Sequence, residues 1–185
     1  MQEIWRQVRI TSKIIFMKHL FIFCLLLITS FSIYAKSEDA IAYNDKIVSE
    51  QTKIGEAILA FSTNPNDFSL TQIRTQAENS LGVLNGMKPL DGNKDFLVAA
   101  KALFKFYAGI TKNEYKKILE LIQEKDKYTS EQITAKINEL TESISKKEVP
   151  LDEQFKDAQV AFAKKYNFTL RKNDLEEKFK DAKEE

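Results

Sequence analysis

The sequence predicts an all-α protein: an up-down-up-down four-helix bundle with a kinked long last helix, preceded by a signal peptide. Three observations lead there. Helix-breaking residues gather at Asn64-Pro65-Asn66-Asp67, Gly86 to Gly92 around Pro89, Lys125 to Ser130 and Pro150, instead of scattering. The segments between them carry apolar residues every three or four positions. No alternating run of β-branched residues persists beyond a few positions, and Lys, Glu, Ala, Leu and Gln dominate.

The first helix is expected from about Asp39 to Ser62, because Ile47, Ile54 and Phe61 stand seven apart with Asn44, Gln51 and Ile58 on the same seam. After the Asx-Pro turn, Ser69 is the expected cap of a second helix, whose stripe Leu70, Ile73, Ala77, Leu81 and Leu84 ends at Asn85-Gly86. A third helix is expected over about Asn93–Glu124, with Phe96, Ala100, Leu103, Tyr107, Ile110, Ile118 and Leu121 or Ile122 inward, and with Gly109 loosening it without breaking it. The fourth keeps one helical phase across Pro150 through Ile133, Ile137, Leu140, Ile144, Leu151, Phe155, Ala158 and Phe162. A proline that opened an unrelated helix would give that phase no reason to persist. One long kinked helix from about Ser130 to Tyr166 is therefore favoured over two collinear helices broken near Lys147–Val149. Phe168 and Leu170 are expected to cap one end of the bundle. The predicted domains are a signal peptide with an upstream extension at 1–35, the four-helix bundle at 36–168, and a charged, fraying C-terminal tail at 169–185.

The leader reading rests on Met17-Lys18-His19, the apolar run Leu20–Ile28, and the small and polar residues leading to Tyr34-Ala35. A positive start, an apolar middle and a small residue at the cut are what a secretory signal requires. Cleavage is expected between Ala35 and Lys36, and translation is taken to begin at Met1 or Met17. The alternative is an uncleaved anchor, but the uncharged stretch Leu20–Ala35 is only 16 residues long, and about 17 to 25 are needed to span a bilayer. Cys24 sits in mid-run behind Ile22-Phe23, the wrong place for a lipoprotein cysteine.

Cleavage changes the chemistry more than the composition suggests. The whole chain has 28 basic and 27 acidic residues, a net charge of +1. The leader holds four of the basic and one of the acidic residues, which leaves 24 against 26, a net of −2. It also holds the single His (His19), the single Cys (Cys24) and the single Trp (Trp5). The remaining 150 residues are long enough to bury a core without a disulfide.

Two blocks, Ala42-Tyr43-Asn44-Asp45-Lys46-Ile47-Val48 and Phe155-Lys156-Asp157-Ala158-Gln159-Val160-Ala161-Phe162-Ala163-Lys164-Lys165-Tyr166-Asn167, resemble the opening and closing signatures of a group of exported bacterial surface proteins first named in spirochaetes. The resemblance covers most of the chain after the leader. It implies an exported all-helical protein of a Gram-negative type of cell, and it brings no activity and no catalytic residue to transfer. Some members of that group carry a lipidated Cys after the leader, and this chain does not.

Diiron sites of helical bundles need Glu-x-x-His, and haem, mononuclear zinc and Cys or Ser-His catalysis also need side chains that residues 36–185 lack. No catalytic, cofactor-binding or metal-binding residue is therefore assigned, and no cofactor is expected. Asp91-Gly92-Asn93-Lys94-Asp95 superficially matches a calcium loop, but its twelfth position is Ala102 and Lys94 would repel the ion, so an ordinary turn is expected. Asn44, Gln51 and Gln159 could line a polar pocket and are expected instead to bond internally and fix helix register. Tyr43, Tyr107, Tyr115, Tyr166, Phe104 and Phe106 are expected in the core before any ligand-stacking role. Lys112, Lys116, Lys117, Lys146, Lys147, Lys164 and Lys165 alternate with acids such as Glu114, Glu120 and Glu148, which reads as a solvated helix face. Nucleic-acid binding is not expected, since only Arg74 and Arg171 survive cleavage. Asn167-Phe168-Thr169 matches a glycosylation sequon, which matters only in a eukaryotic secretory path.

The expected function is that of an exported non-enzymatic module of the periplasm or cell surface, with an envelope protein or polymer as its partner and no stable membrane span after cleavage. A carrier holding an apolar or aromatic ligand between helices is the alternative. A carboxylate-only hydrolase ranks third, because paired acids cleave glycosides without histidine.

Overall fold

The computed structural model describes residues 35–171. Residues 1–34 of the predicted leader and residues 172–185 of the predicted tail lie outside them. Among the described residues the secondary structure is all-α: α1 (Ala35–Thr63), α2 (Asp67–Gly86), α3 (Asp95–Ile110), α4 (Glu114–Gln123) and α5 (Ser130–Lys165), with one 3-10 turn at Lys125–Lys127. None of these helices is long and apolar enough to cross a membrane.

Each boundary has a local cause. At the start of α2 the cap is Asn66, not Ser69: the Ser69 backbone N–H donates to Asn66 Oδ1 (2.9 Å), and the Asn66 N–H donates back to Ser69 Oγ (3.1 Å). Ser69 is thus the third helical residue of a reciprocal capping box. Thr129 and Gln132 form the same arrangement at the start of α5. The turn Leu90–Asn93 has positive φ at Asp91 (48°) and Gly92 (75°), with the Asn93 N–H donating to Leu90 O (2.8 Å). That is the pattern of a type I′ turn, which Asp-Gly favours.

The expected single third helix is two. The Lys112 and Asn113 N–H groups turn back to Gly109 O and Ile110 O, three residues behind. Thr111 Oγ1 donates to Ala108 O (2.8 Å), which ties its β-branched side chain to the preceding turn. Gly109 lowers helix propensity just before, and Thr and Asn are poor interior residues, so the helix is interrupted at Thr111–Asn113.

In contrast, α5 runs 36 residues straight through Pro150. Pro150 is on the exposed side of the helix, and so is Lys146, whose carbonyl loses its N–H partner. Water can satisfy that carbonyl, which keeps the break open to solvent and the inner face continuous. At its far end α5 closes in a Schellman motif. Asn167 has φ 53°, its N–H donates to Lys164 O, and the Phe168 N–H donates to Ala163 O. Phe168 then folds onto Phe162 edge-on, with ring centroids 6.0 Å apart.

The core takes residues from all five helices: Ala40, Ile47, Ile54, Ile58 and Phe61 of α1; Ile73, Ala77 and Leu84 of α2; Phe96, Ala100, Leu103, Phe104 and Tyr107 of α3; Tyr115, Ile118 and Leu119 of α4; Ile133, Ile137, Ile144, Phe155 and Phe162 of α5. Helices adjacent in sequence from α1 to α3 pack against each other, and α5 packs against α3 and α4. Phe96, early in α3, meets Phe155 and Phe162, late in α5, both at 5.3 Å. Tyr43 of α1 stacks on Phe162 at 5.4 Å, and Tyr166 packs on it from below at 4.7 Å. At this end the Tyr166 hydroxyl also donates to Leu90 O (3.0 Å), which pins the α2–α3 turn to the end of α5.

Candidate functional site

The side chains singled out in the sequence fall into two groups. Asn44 and Gln159 meet: Gln159 Nε2 donates to Asn44 Oδ1 (2.8 Å), and Asn44 Nδ2 donates to Asp45 Oδ1 (3.1 Å). This pair joins α1 to α5, as a register-fixing contact would. Gln51 is buried on the α1 seam. Tyr107, Tyr115 and Phe104 are core residues, while Phe106 is half-buried against the core. Asp91 to Asp95 form the turn described above, where Asn93 Oδ1 accepts the Asp95 N–H (3.3 Å) as an ordinary helix-entry contact.

The surface-charge expectation needs a correction. Glu148 and Glu114 are not solvated: Glu148 is 6% exposed and Glu114 8%. Glu114 is held by Lys147 across the α4–α5 contact. Glu148 faces inward with Asp152, one helical turn on, which is only 2% exposed. Sequence reasoning missed this pair, although a signal was present. Ile144, Glu148, Asp152 and Phe155 follow one another at intervals of four, four and three, so two acids occupy positions on the apolar stripe.

This buried carboxylate centre is the most unusual chemistry in the described chain. The Tyr107 hydroxyl of α3 donates to Glu148 Oε1 (2.7 Å). Lys156, one turn further along α5, brings its Nζ to 2.7 Å from Asp152 Oδ2. Asp152 Oδ1 finds no hydrogen-bond donor among the described residues. Burial pushes the Glu148 carboxyl up to about 7, with the Tyr107 hydrogen bond pulling against it, Asp152 adding to it and Lys156 opposing it. Asp152 is raised as well, again chiefly by burial, against the Lys156 ion pair. The Tyr107 and Tyr115 phenols are driven far above their usual range by burial and by the charge on Glu148.

A second buried acid behaves in the opposite way. Glu50 of α1 accepts from Lys53 Nζ (2.6 Å) and from the Ser80 hydroxyl of α2 (2.8 Å), and Gln76 Nε2 donates to Ser80 Oγ (3.0 Å). Burial acts to raise Glu50, but these hydrogen bonds and the Lys53 and Lys46 charges outweigh it and hold the carboxyl below its ordinary value. Glu50 is a satisfied structural anion; Glu148 and Asp152 are poised acids.

The arrangement can bind and release a proton near neutrality. It does not frame a hydrolase: Glu148 and Asp152 project from the same face of one helix, whereas glycoside hydrolysis needs acids on opposite sides of a scissile bond. Among the described residues no group of three or more His, Cys, Asp or Glu is placed to share a metal ion. The chain matches no protein-family model, no curated protein and no solved structure.

Proposed function

We propose that this protein is an exported, non-enzymatic helical module of a bacterial cell envelope, a structural or interaction domain with up-down-up-down topology. The observation that carries the reading is the three-part leader pattern of residues 17–35, followed by a helical chain whose described core is built from residues 40–166. The resemblance to exported surface proteins first named in spirochaetes points the same way. So does the side-chain repertoire: nucleophilic and metal-centred catalysis usually rely on His or Cys, and residues 36–185 have neither.

The ends that meet support this topology. Tyr43 and Asn44, early in α1, lie against Phe162 and Gln159, late in α5. Phe96, early in α3, also lies against late α5, and Gln123 at the end of α4 donates to Asp67 at the start of α2 (3.0 Å). The α3–α4 pair then forms a single upward leg with a joint in it. The aromatic residues that a carrier would turn toward a ligand contact one another in the core, so packing favours the module over the carrier.

N-terminal sequencing and cell fractionation of the native protein test the proposal. A mature chain beginning at Lys36 in the periplasmic or surface fraction supports it. A mature chain that retains Met1 or Met17, or a cytoplasmic location, overturns it.

A further inference from the structure

We propose that Glu148 and Asp152 form a proton-binding site that latches α5 to α3, closed with one proton bound and loosened when that proton leaves. The case begins with charge. Two carboxyl groups are buried together one turn apart on α5. Facing them, α3 offers Tyr107 and α4 offers Tyr115, which are phenols and carry no positive charge. On α5 itself Lys156 approaches Asp152, and exposed Glu153 adds further negative charge beside it. The neighbouring Lys147 is taken by Glu114. From α1, Tyr43 and Asn44 meet α5 near its far end, and both are uncharged. Two acids are thus set against one ammonium, and a single proton balances the site.

Backbone geometry places the latch where α5 is easiest to bend. Pro150 lies between the two acids and removes one main-chain hydrogen bond from that turn. With the proton bound, Tyr107 and Glu148 join two neutral groups across the α3–α5 interface. Once the proton is lost, Glu148 keeps the Tyr107 hydrogen bond but carries a buried charge with no cation of its own beside a second carboxylate, and the least costly response is for this turn of α5 to open toward water.

Carboxyl carbon NMR on the intact protein tests the site directly. The Glu148 resonance should titrate with a midpoint near 7, and Asp152→Asn should move that midpoint down, because it removes the negative neighbour. Hydrogen exchange, corrected for the intrinsic effect of pH, reads the latch itself. Between about pH 6 and pH 8, opening of the α5 turn around Pro150 and of the α3 turn at Tyr107 should rise about tenfold, and Glu148→Gln should abolish that rise. A Glu148 midpoint below about 5, a midpoint indifferent to Asp152→Asn, or an equal pH response in Glu148→Gln would overturn the proposal. If either variant fails to fold, the wild-type titration together with the wild-type exchange profile decides the matter: a midpoint near 7 with no rise in opening between about pH 6 and pH 8 overturns the latch.

Discussion

Replacing Glu148 by Gln removes a charge from the core while keeping the shape of the side chain and an oxygen for the Tyr107 hydroxyl to donate to. Burial pushes the Glu148 carboxyl up to about 7 in the fold, against an ordinary value of 4.5. Between those values the folded protein holds a proton that the unfolded chain releases, so stability falls as pH rises from about 4.5 to about 7 and stays lower above it. At about 1.4 kcal/mol for each pH unit of difference, the full loss is about 3 kcal/mol. The Gln variant does not suffer it. In urea unfolding, Glu148→Gln should match the wild type within about 1 kcal/mol at pH 5 and exceed it by about 3 kcal/mol at pH 8. By thermal unfolding the gain at pH 8 should be on the order of 10 °C. A Gln variant that is less stable than the wild type at pH 8, or one whose advantage is the same at both pH values, would refute the reasoning, since either result would mean that the carboxylate is well solvated or well paired.

Three further outcomes follow from other parts of the fold. Phe162→Ala removes the ring on which Tyr43, Phe96, Tyr166 and Phe168 all converge, and calorimetry should show a loss of about 3–5 kcal/mol, as for a buried Phe whose neighbours cannot collapse into the space. Pro150→Ala returns an N–H to the Lys146 carbonyl, and the regained helical hydrogen bond should outweigh the extra freedom of the unfolded chain by about 1–2 kcal/mol in denaturant unfolding. Ser80→Ala takes one hydrogen bond from the Glu50 carboxylate and should cost about 1–2 kcal/mol at pH 7. Because the Glu50 carboxyl is depressed in the fold, its contribution is present above the unfolded value and lost as pH falls through the folded one, so the Ser80→Ala penalty should shrink on acidification.

What the sequence made legible was whatever repeats with the period of a helix. Ile47, Ile54 and Phe61, together with Asn44, Gln51 and Ile58, all lie on the buried seam of α1 where their spacing puts them. The phase carried across Pro150 correctly marked one continuous helix. Features governed by single residues were harder to see. The stop at Thr111–Asn113 depends on a hydroxyl turning back to Ala108 O, and periodicity is blind to that because Ile110 and Ile118 stay in phase on either side. At α2 the choice between Asn66 and Ser69 as cap is a matter of backbone conformation, extended at Asn66 (φ −158°, ψ 171°). The Thr129-x-x-Gln132 box carries a spacing signature in the sequence, but the reading of Lys125 to Ser130 as a cluster of helix breakers passes over it. Glu148 and Asp152 were hidden by their chemistry. Acids are so often solvated that their stripe positions carried less weight than Leu151 next door, which is only half-buried.

The amide pair Asn44 and Gln159 links residues 115 positions apart in the chain. Contacts within each helical hairpin close short loops, whereas this one closes a loop of 115 residues, with the larger chain-entropy cost that a long loop carries. It also acts as a vernier. Sliding the first helix along the last by one turn would preserve an oily surface against an oily surface and cost little, except that it would break the bond between the two amides and leave the buried Asn44 oxygen without its donor. A single hydrogen bond thereby selects one alignment from several that greasy contact alone would tolerate.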